Sequence, residues 1–302
     1  MKKIINILKL GRLHFLLGGY LLFTLGALTA VLTGAPADLN KYLLGYVIFA
    51  LGHLAVSYSN DFFDVEADSK GERTLISGGS GILLKHPELI PFAKRFALIL
   101  MSTSVLLTIP FILTYGFPPE FILLIIFGNL LGWYYSAPPI KLAYRGLGEI
   151  PTIFAMGLIM PGLGYLIMKE VIDSIFIFYS IPLLFYGVSF ILTVQAPDMK
   201  ADKLGGKKTF ITRYGRKKAF LLVGLFFISA TLYLLGASFM VDLTPVDLMI
   251  LFLISLPLAL VGLYELINPP VESQKTAFFS TVNITGLILS LSLMDIYLYT
   301  LL

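Results

Sequence analysis

KYLLGYVIFALGHLAVSYSNDFFDVEAD, residues 41–68, decides the fold. From Tyr42 to Asn60 it carries no Asp, Glu, Lys or Arg, and roughly 20 apolar residues are what a helix needs to cross a bilayer. The run is continuous rather than alternating at period two, so a spanning helix is expected and not a barrel strand. Its last nine residues then turn acidic. The stretch therefore reads as a membrane helix that ends in a polar, acidic turn.

Working outward, similar apolar runs lie at 12–33, 92–115, 119–136, 148–168, 174–197, 217–240, 246–267 and 276–300. With 41–59 they make about nine spans. Pro118-Pro119, Pro138-Pro139 and Asn268-Pro269-Pro270 supply turn chemistry between them. The apolar stretch at 13–32 is too long for the core of a signal peptide, which runs about 7–15 residues, so it reads as a retained first helix. Hydrophobic residues make up 57% of the 302 and charged residues 13%, against about a quarter charged in soluble domains. No polar module interrupts the series, and one membrane domain over 1–302 is expected. The chain has no Cys, which excludes disulfides, thiolate metal sites and thiol nucleophiles.

Basic residues set the orientation. With the N-terminus in the cytoplasm, 20 of the 22 Lys and Arg fall in inner segments, leaving Lys41 and Lys169 outside. This is a strong positive-inside pattern, and it puts the C-terminus outside. The net charge of +4 is accounted for by topology, and nothing else in the sequence points to nucleic acid.

Asn60, Asp64 and Asp68 are spaced i, i+4, i+8 and share one face of a continuing helix. Such a row offers oxygen ligands alone, which suits hard divalent cations. Mg2+ in particular binds through one or two carboxylates together with substrate phosphates. The sixth span ends alike, in Asp198-Met199-Lys200-Ala201-Asp202. The flanks correspond too: Asp64-x-x-Ala67-Asp68-x-x-Gly71 answers Asp198-x-x-Ala201-Asp202-x-x-Gly205. Arg73-Thr74-Leu75-Ile76-Ser77 then answers Lys208-Thr209-Phe210-Ile211-Thr212. Both motifs follow an even-numbered span, so an internal duplication sets two carboxylate rows across one cavity on the cytoplasmic side. Basic residues and glycines follow each row, and a diphosphate needs such cations and backbone amides besides its metal.

These motifs resemble the UbiA superfamily of intramembrane prenyltransferases, whose signatures are N-x-x-x-D-x-x-x-D and a later D-x-x-x-D. Asn60, Asp64 and Asp68 match the first, and Asp198 with Asp202 the second. Tyr135-Ser136-Ala137-Pro138-Pro139-Ile140-Lys141, Gly146-Leu147-Gly148-Glu149 and Gly206-Lys207-Lys208-Thr209 also correspond. Members acting on naphthoquinone precursors often read N-N-x-R-D before the second pair, where this chain has Val194-Gln195-Ala196-Pro197-Asp198. The opening Gly11-Arg12-Leu13-His14-Phe15-Leu16 is similar to menaquinone-pathway members.

The resemblance implies an all-α membrane protein with about nine transmembrane helices around a central cavity, capped by the cytoplasmic loops 60–91 and 198–216. It implies Mg2+ as cofactor, a polyprenyl diphosphate donor and a small hydrophobic acceptor. By the same resemblance Asp64, Asp68, Asp198 and Asp202 are catalytic metal ligands, with Asn60 as a neutral ligand or orienter. Arg73, Lys141 and Lys208 would contact the diphosphate, and Tyr135 would face the allylic carbocation that its departure leaves. An aromatic acceptor of the 1,4-dihydroxy-2-naphthoate type is favoured. Two alternatives stay open: a non-aromatic acceptor such as geranylgeranylglyceryl phosphate, and a cation-coupled transporter. The latter would keep its acidic residues near the bilayer midplane rather than at helix ends. His53 reads as a packing residue, Asn129 as interhelical glue, Arg12 and His14 as interfacial, and Asp295 as water-exposed. Pro151, Pro161 and Pro182 are expected to kink their helices, and Glu149 has no assigned role.

Overall fold

The structure, a computed structural model, describes residues 2–70 and 79–302. Its first helices are α1 (Lys2–Leu10), α2 (Leu13–Leu32), α3 (Leu39–Asp68), α4 (Ile82–Lys85) and α5 (Ile90–Tyr115). Then come α6 (Phe121–Trp133), α7 (Leu142–Arg145), α8 (Glu149–Phe154), α9 (Met160–Lys169) and α10 (Ser174–Gln195). The chain closes with α11 (Met199–Leu204), α12 (Phe210–Met240), α13 (Leu248–Ile267) and α14 (Ser273–Tyr299). Among the described residues the one β-type pairing is an isolated bridge between Leu243 and Val246.

Eight helical stretches among the described residues are long and apolar enough to cross a membrane. The ninth expected span, 119–136, is the shorter apolar helix α6 of 13 residues. At about 1.5 Å per residue it covers some 20 Å, less than a full hydrocarbon core. The segment from Tyr134 to Ile140 leaves the helix and runs as turns. This is a correction of length at one element: among the described residues, eight long apolar helices and this shorter one follow the expected order.

Helix ends follow local chemistry. Asp38, Asp173 and Asp247 each cap a helix that begins at the end away from the acidic motifs, accepting hydrogen bonds from its first N–H groups. A carboxylate there satisfies orphan donors and meets the positive end of the helix dipole. The fifth span is built in three pieces: α8, a π-helical turn at Ala155–Ile159, then α9. Pro161 is the second residue of α9, two past the end of the π turn, which accounts for the break there. Pro151 falls in the first turn of α8, where a missing N–H is tolerated, whereas Pro182 lies inside the continuous α10.

Without a hydrophobic drive between helices in lipid, close approach is the source of attraction, and small residues permit it. A Cβ on Gly26 would strike the Pro161 carbonyl, and one on Gly164 that of Phe23, so α2 and α9 cross backbone to backbone. Gly224 and Gly262 do the same for α12 and α13. At the far end Lys41 is 5% exposed and pairs with Glu170 at 2.6 Å, while Lys169 pairs with Asp173 at 2.9 Å. Asp295, expected in water, is instead buried, and neither carboxylate oxygen has a hydrogen-bond partner in the structure. Helix α14 packs on α2 and α10 there, which hydropathy along α14 alone does not register.

Candidate active site

Helix α3 does not stop at the end of its apolar run. It continues unbroken through Asn60, Asp64 and Asp68, so the three keep the shared face that their spacing requires. Asp64 is buried and richly served. It accepts hydrogen bonds from Ser136 Oγ at 3.0 Å and from Tyr144 OH at 2.8 Å, and pairs with Lys207 Nζ at 3.0 Å. The second row is delivered differently. Helix α10 ends at Gln195, a turn carries Ala196 to Asp198, and the short α11 then presents Asp202. Pro197, lacking an N–H, ends the longer helix.

The rows meet at one cation. Lys207 Nζ lies 3.0 Å from Asp64 Oδ2 and 3.4 Å from Asp202 Oδ1. Burial alone would lower the ammonium pKa, but the charges of Asp64, Asp202 and Asp68 outweigh it and hold it well above the usual lysine value. Asp202 is raised to about 6, first by burial, with Asp198 adding repulsion and Lys207 opposing both. Tyr144 is also raised, by burial and then by the charge of Asp64, so it stays a hydrogen-bond donor.

The loop that carries Lys207 is fastened from outside the motifs. Lys207 N–H bonds the Asp202 carbonyl at 2.9 Å, Lys208 N–H the Ala143 carbonyl at 3.2 Å. Glu149 Oε1 accepts the N–H of Phe210 at 2.6 Å, which fixes the start of α12. That gives Glu149 a place. Arg216 Nε donates to the Ala196 carbonyl at 3.1 Å, and Arg216 Nη1 to Val271 at 3.3 Å, which satisfies a carbonyl freed where α10 ends.

A cavity of about 350 Å3 opens beside the rows and runs into the helix bundle. Asn60, one helical turn before Asp64, and Tyr135 stand on its wall, and Leu287 and Leu291 line it from α14. Its few polar groups are Arg12, His14, Asn60, His53, Asn129 and Tyr135 together with serine and threonine hydroxyls. Arg12 also pairs with Asp61 at 3.5 Å, and Asp61 accepts the N–H and hydroxyl of Ser80, which ties α2 and the 79–81 turn to α3. His53 is half-buried on the cavity wall, and its Nδ1 is buried with no hydrogen-bond partner in the structure. Asn129 Nδ2 reaches the Met101 carbonyl at 3.4 Å, in keeping with its reading as interhelical glue.

The structure does not bring all the expected site residues together. Asn60 and Tyr135 line the cavity, while Asp64 and Asp202 are joined through Lys207 beside it, with Asp68 and Asp198 on the same two elements. Lys141 lies near them, its Nζ 5.1 Å from the Tyr144 ring centre. Lys208 is exposed, while its neighbour Lys207 enters the cleft. Arg73 lies outside the described residues. Motif spacing does not single out Lys207, Tyr144 or Ser136, although all three stand in or beside the matched segments.

The donors present fit a hard divalent cation. They are carboxylate and amide oxygens, Asn60 Oδ1 is buried with no hydrogen-bond partner, and a cation already bridges the two rows. Among the described residues no three carboxylates or histidines converge closely enough to enclose a metal as they stand.

A UbiA prenyltransferase domain-containing protein 1 from Dictyostelium discoideum is 30% identical over 171 residues, 55% of this chain. The match takes in 51% of that relative, so the chain aligns with about half of its length. The 1,4-dihydroxy-2-naphthoate octaprenyltransferase of Bacillus subtilis is 24% identical over 229 residues, 76% of this chain and 72% of that protein. Among solved structures, a UbiA homologue from Archaeoglobus fulgidus bound to GPP and Mg2+ has a TM-score of 0.67 at 16% identity, covering 96% of this chain and 99% of that one. A digeranylgeranylglyceryl phosphate synthase has a TM-score of 0.63 at 17% identity, covering 98% and 100%. The model of the UbiA prenyltransferase family matches residues 20–287, a span that holds both acidic rows, Lys207 and most of the helices around the cavity, and the chain belongs to that family.

Proposed function

We propose that this protein transfers a polyprenyl group from an isoprenoid diphosphate to an aromatic acceptor of the 1,4-dihydroxy-2-naphthoate type, with Mg2+ as cofactor. The observation that carries this reading is the meeting of two carboxylate rows at the mouth of a deep, mainly apolar cavity. Polar diphosphate chemistry and an apolar tail site are thereby joined across one helical turn. The acceptor class draws its support from the Bacillus subtilis relative.

Asp64, Asp68, Asp198 and Asp202 would hold the metal, with Asn60 supplying or orienting an oxygen beside the cavity. Bound Mg2+ supplies the positive charge that offsets the diphosphate as it departs. Ser136 and Tyr144 fix the Asp64 carboxylate by donating to its two oxygens. Lys141 and Lys207 bring further positive charge to the same mouth. The cavity walls exclude water from the allylic centre, and the Tyr135 ring offers a face to the positive charge developing there. Arg12 stands where an acidic group on the acceptor would enter. In this reading the active site faces the cytoplasm, with the N-terminus on that side and the C-terminus on the other, which the distribution of basic residues supports.

A second reading, transfer to geranylgeranylglyceryl phosphate, has the support of the likeness to the synthase structure and uses the same donor site. Incubation of the purified protein with Mg2+, geranylgeranyl diphosphate and both acceptors separates the two. Product that requires Mg2+ and disappears in Asp64→Ala and Asp198→Ala is the expected result, with the naphthoate consumed. Consumption of the glyceryl phosphate alone would select the second reading, and no product from folded protein with either acceptor would count against both.

A further inference from the structure

Lys207 sits where the metal-binding reading needs a cation to be. Its ammonium is 3.0 Å from Asp64 and 3.4 Å from Asp202, one carboxylate from each acidic row, and its side chain is only 11% exposed. The position is held from several sides. Gly206, just before it, has a φ of 84°, a left-handed turn that suits glycine and directs the next residue back toward the rows. Backbone bonds from Lys207 to Asp202 and from Lys208 to Ala143 close the loop on both sides. Tyr144 packs its ring 5.9 Å from the ammonium while its hydroxyl holds Asp64. A lysine that merely marked the cytoplasmic side of the membrane would need none of this, and its neighbour Lys208 is exposed.

We propose that Lys207 is a built-in counter-ion that competes with the metal. In the metal-free protein its ammonium neutralises Asp64 and Asp202 and keeps the two duplicated halves together; when a divalent cation enters between the rows, the ammonium gives up that place. The inference rests on the metal-binding reading of the two rows and goes beyond it in assigning the same position to a residue of the chain. Its physical basis is charge. Buried carboxylates facing each other repel unless a cation lies between them, and one ammonium and one divalent cation cannot both occupy that place without repelling each other. Lys207 therefore stabilises the empty site and weakens metal binding, the reverse of what a residue that simply helps to hold the metal complex would do.

The test measures Mn2+ binding and thermal unfolding of the full-length protein in detergent, comparing wild type with Lys207→Met. Free Mn2+ is followed by electron paramagnetic resonance, with no donor or acceptor present. In EDTA the variant should unfold at a lower temperature than wild type, and saturating Mg2+ should close most of that gap. Its Mn2+ affinity should rise by about tenfold, the effect of removing one adjacent like charge. A double variant, Lys207→Met with Asp202→Asn, should regain part of the stability lost in EDTA, which guards against a variant that simply folds badly. Mn2+ binding to wild type with unchanged or weaker affinity in folded Lys207→Met would overturn the counter-ion proposal and leave the metal reading standing. No Mn2+ binding by either protein would overturn both.

Discussion

Gly205 of the second acidic motif lies against Ala67 of the first. A Cβ on Gly205 would fall 2.6 Å from the Ala67 Cβ and 3.1 Å from its Cα. These are the small residues that the two copies of the duplicated pattern share around their aspartates, and here one copy is pressed onto the other. The contact sets how near α3 and α11 can come, and hence how near the two carboxylate rows stand. Gly205→Val forces them apart. Overpacking of this kind costs about 1–3 kcal/mol, so the variant should unfold at a lower temperature and need more Mg2+ for half-maximal activity, whereas a change at the exposed Lys203 should do neither.

Tyr144→Phe removes one hydroxyl and keeps the ring between Lys141 and Lys207. Asp64 then loses a donor at 2.8 Å. Hydrogen bonds to charged groups contribute about 1.5–3 kcal/mol, which corresponds to roughly 10- to 100-fold in kcat/KM. Steady-state kinetics on the folded variant checks it, and an unchanged kcat/KM would mean that Ser136 alone positions Asp64.

Glu149→Ala leaves the Phe210 N–H without its 2.6 Å acceptor and loosens the start of α12. Loss of a helix-capping acceptor costs about 0.5–2 kcal/mol. Because this helix start anchors the loop bearing Lys207, the KM for the diphosphate donor should rise together with the fall in unfolding temperature. Glu149→Gln, which keeps a side-chain acceptor, should recover part of both.

Asp173 predicts a pH effect away from the active site. Burial would raise its pKa, but hydrogen bonds from Lys169, Tyr165 and the Phe176 N–H outweigh that and hold it below the usual carboxylate value. A depressed folded-state value means that its stabilisation is complete above the ordinary carboxylate range and is lost as pH falls through the folded value. Asp173→Ala should cost about 1 kcal/mol near neutrality as a lost helix cap. The gap in unfolding temperature between wild type and variant should narrow on acidification, and a gap that stays constant with pH would count against the assignment.

Much of this molecule could be read from residue spacing. The helical period placed Asn60, Asp64 and Asp68 on one face, and α3 keeps them there because nothing breaks the helix before Asp68. Repetition of the pattern at Asp198 and Asp202 pointed to two rows facing each other, which Lys207 now bridges. What spacing could not supply was direction. Lys207 and Lys208 are neighbours of identical chemistry, and only the left-handed turn at Gly206 and the bond to Ala143 decide which one points inward. Tyr144 and Ser136 act on Asp64 across 80 and 72 residues of chain, a separation no local pattern encodes. Asp295 misled for the same reason, since its burial is conferred by helices distant in sequence.

The two acidic motifs are carried on mechanically different elements. One row rides on α3, a 30-residue rod anchored along its length in the bundle, while the other is borne by α11, six residues long and set off from α10 by the turn at Pro197. The pair works like a vise with one fixed and one sliding jaw. If the rows must close on a metal and reopen to release diphosphate, the travel belongs to Asp198 and Asp202, and the first motif serves as the datum against which that movement is made.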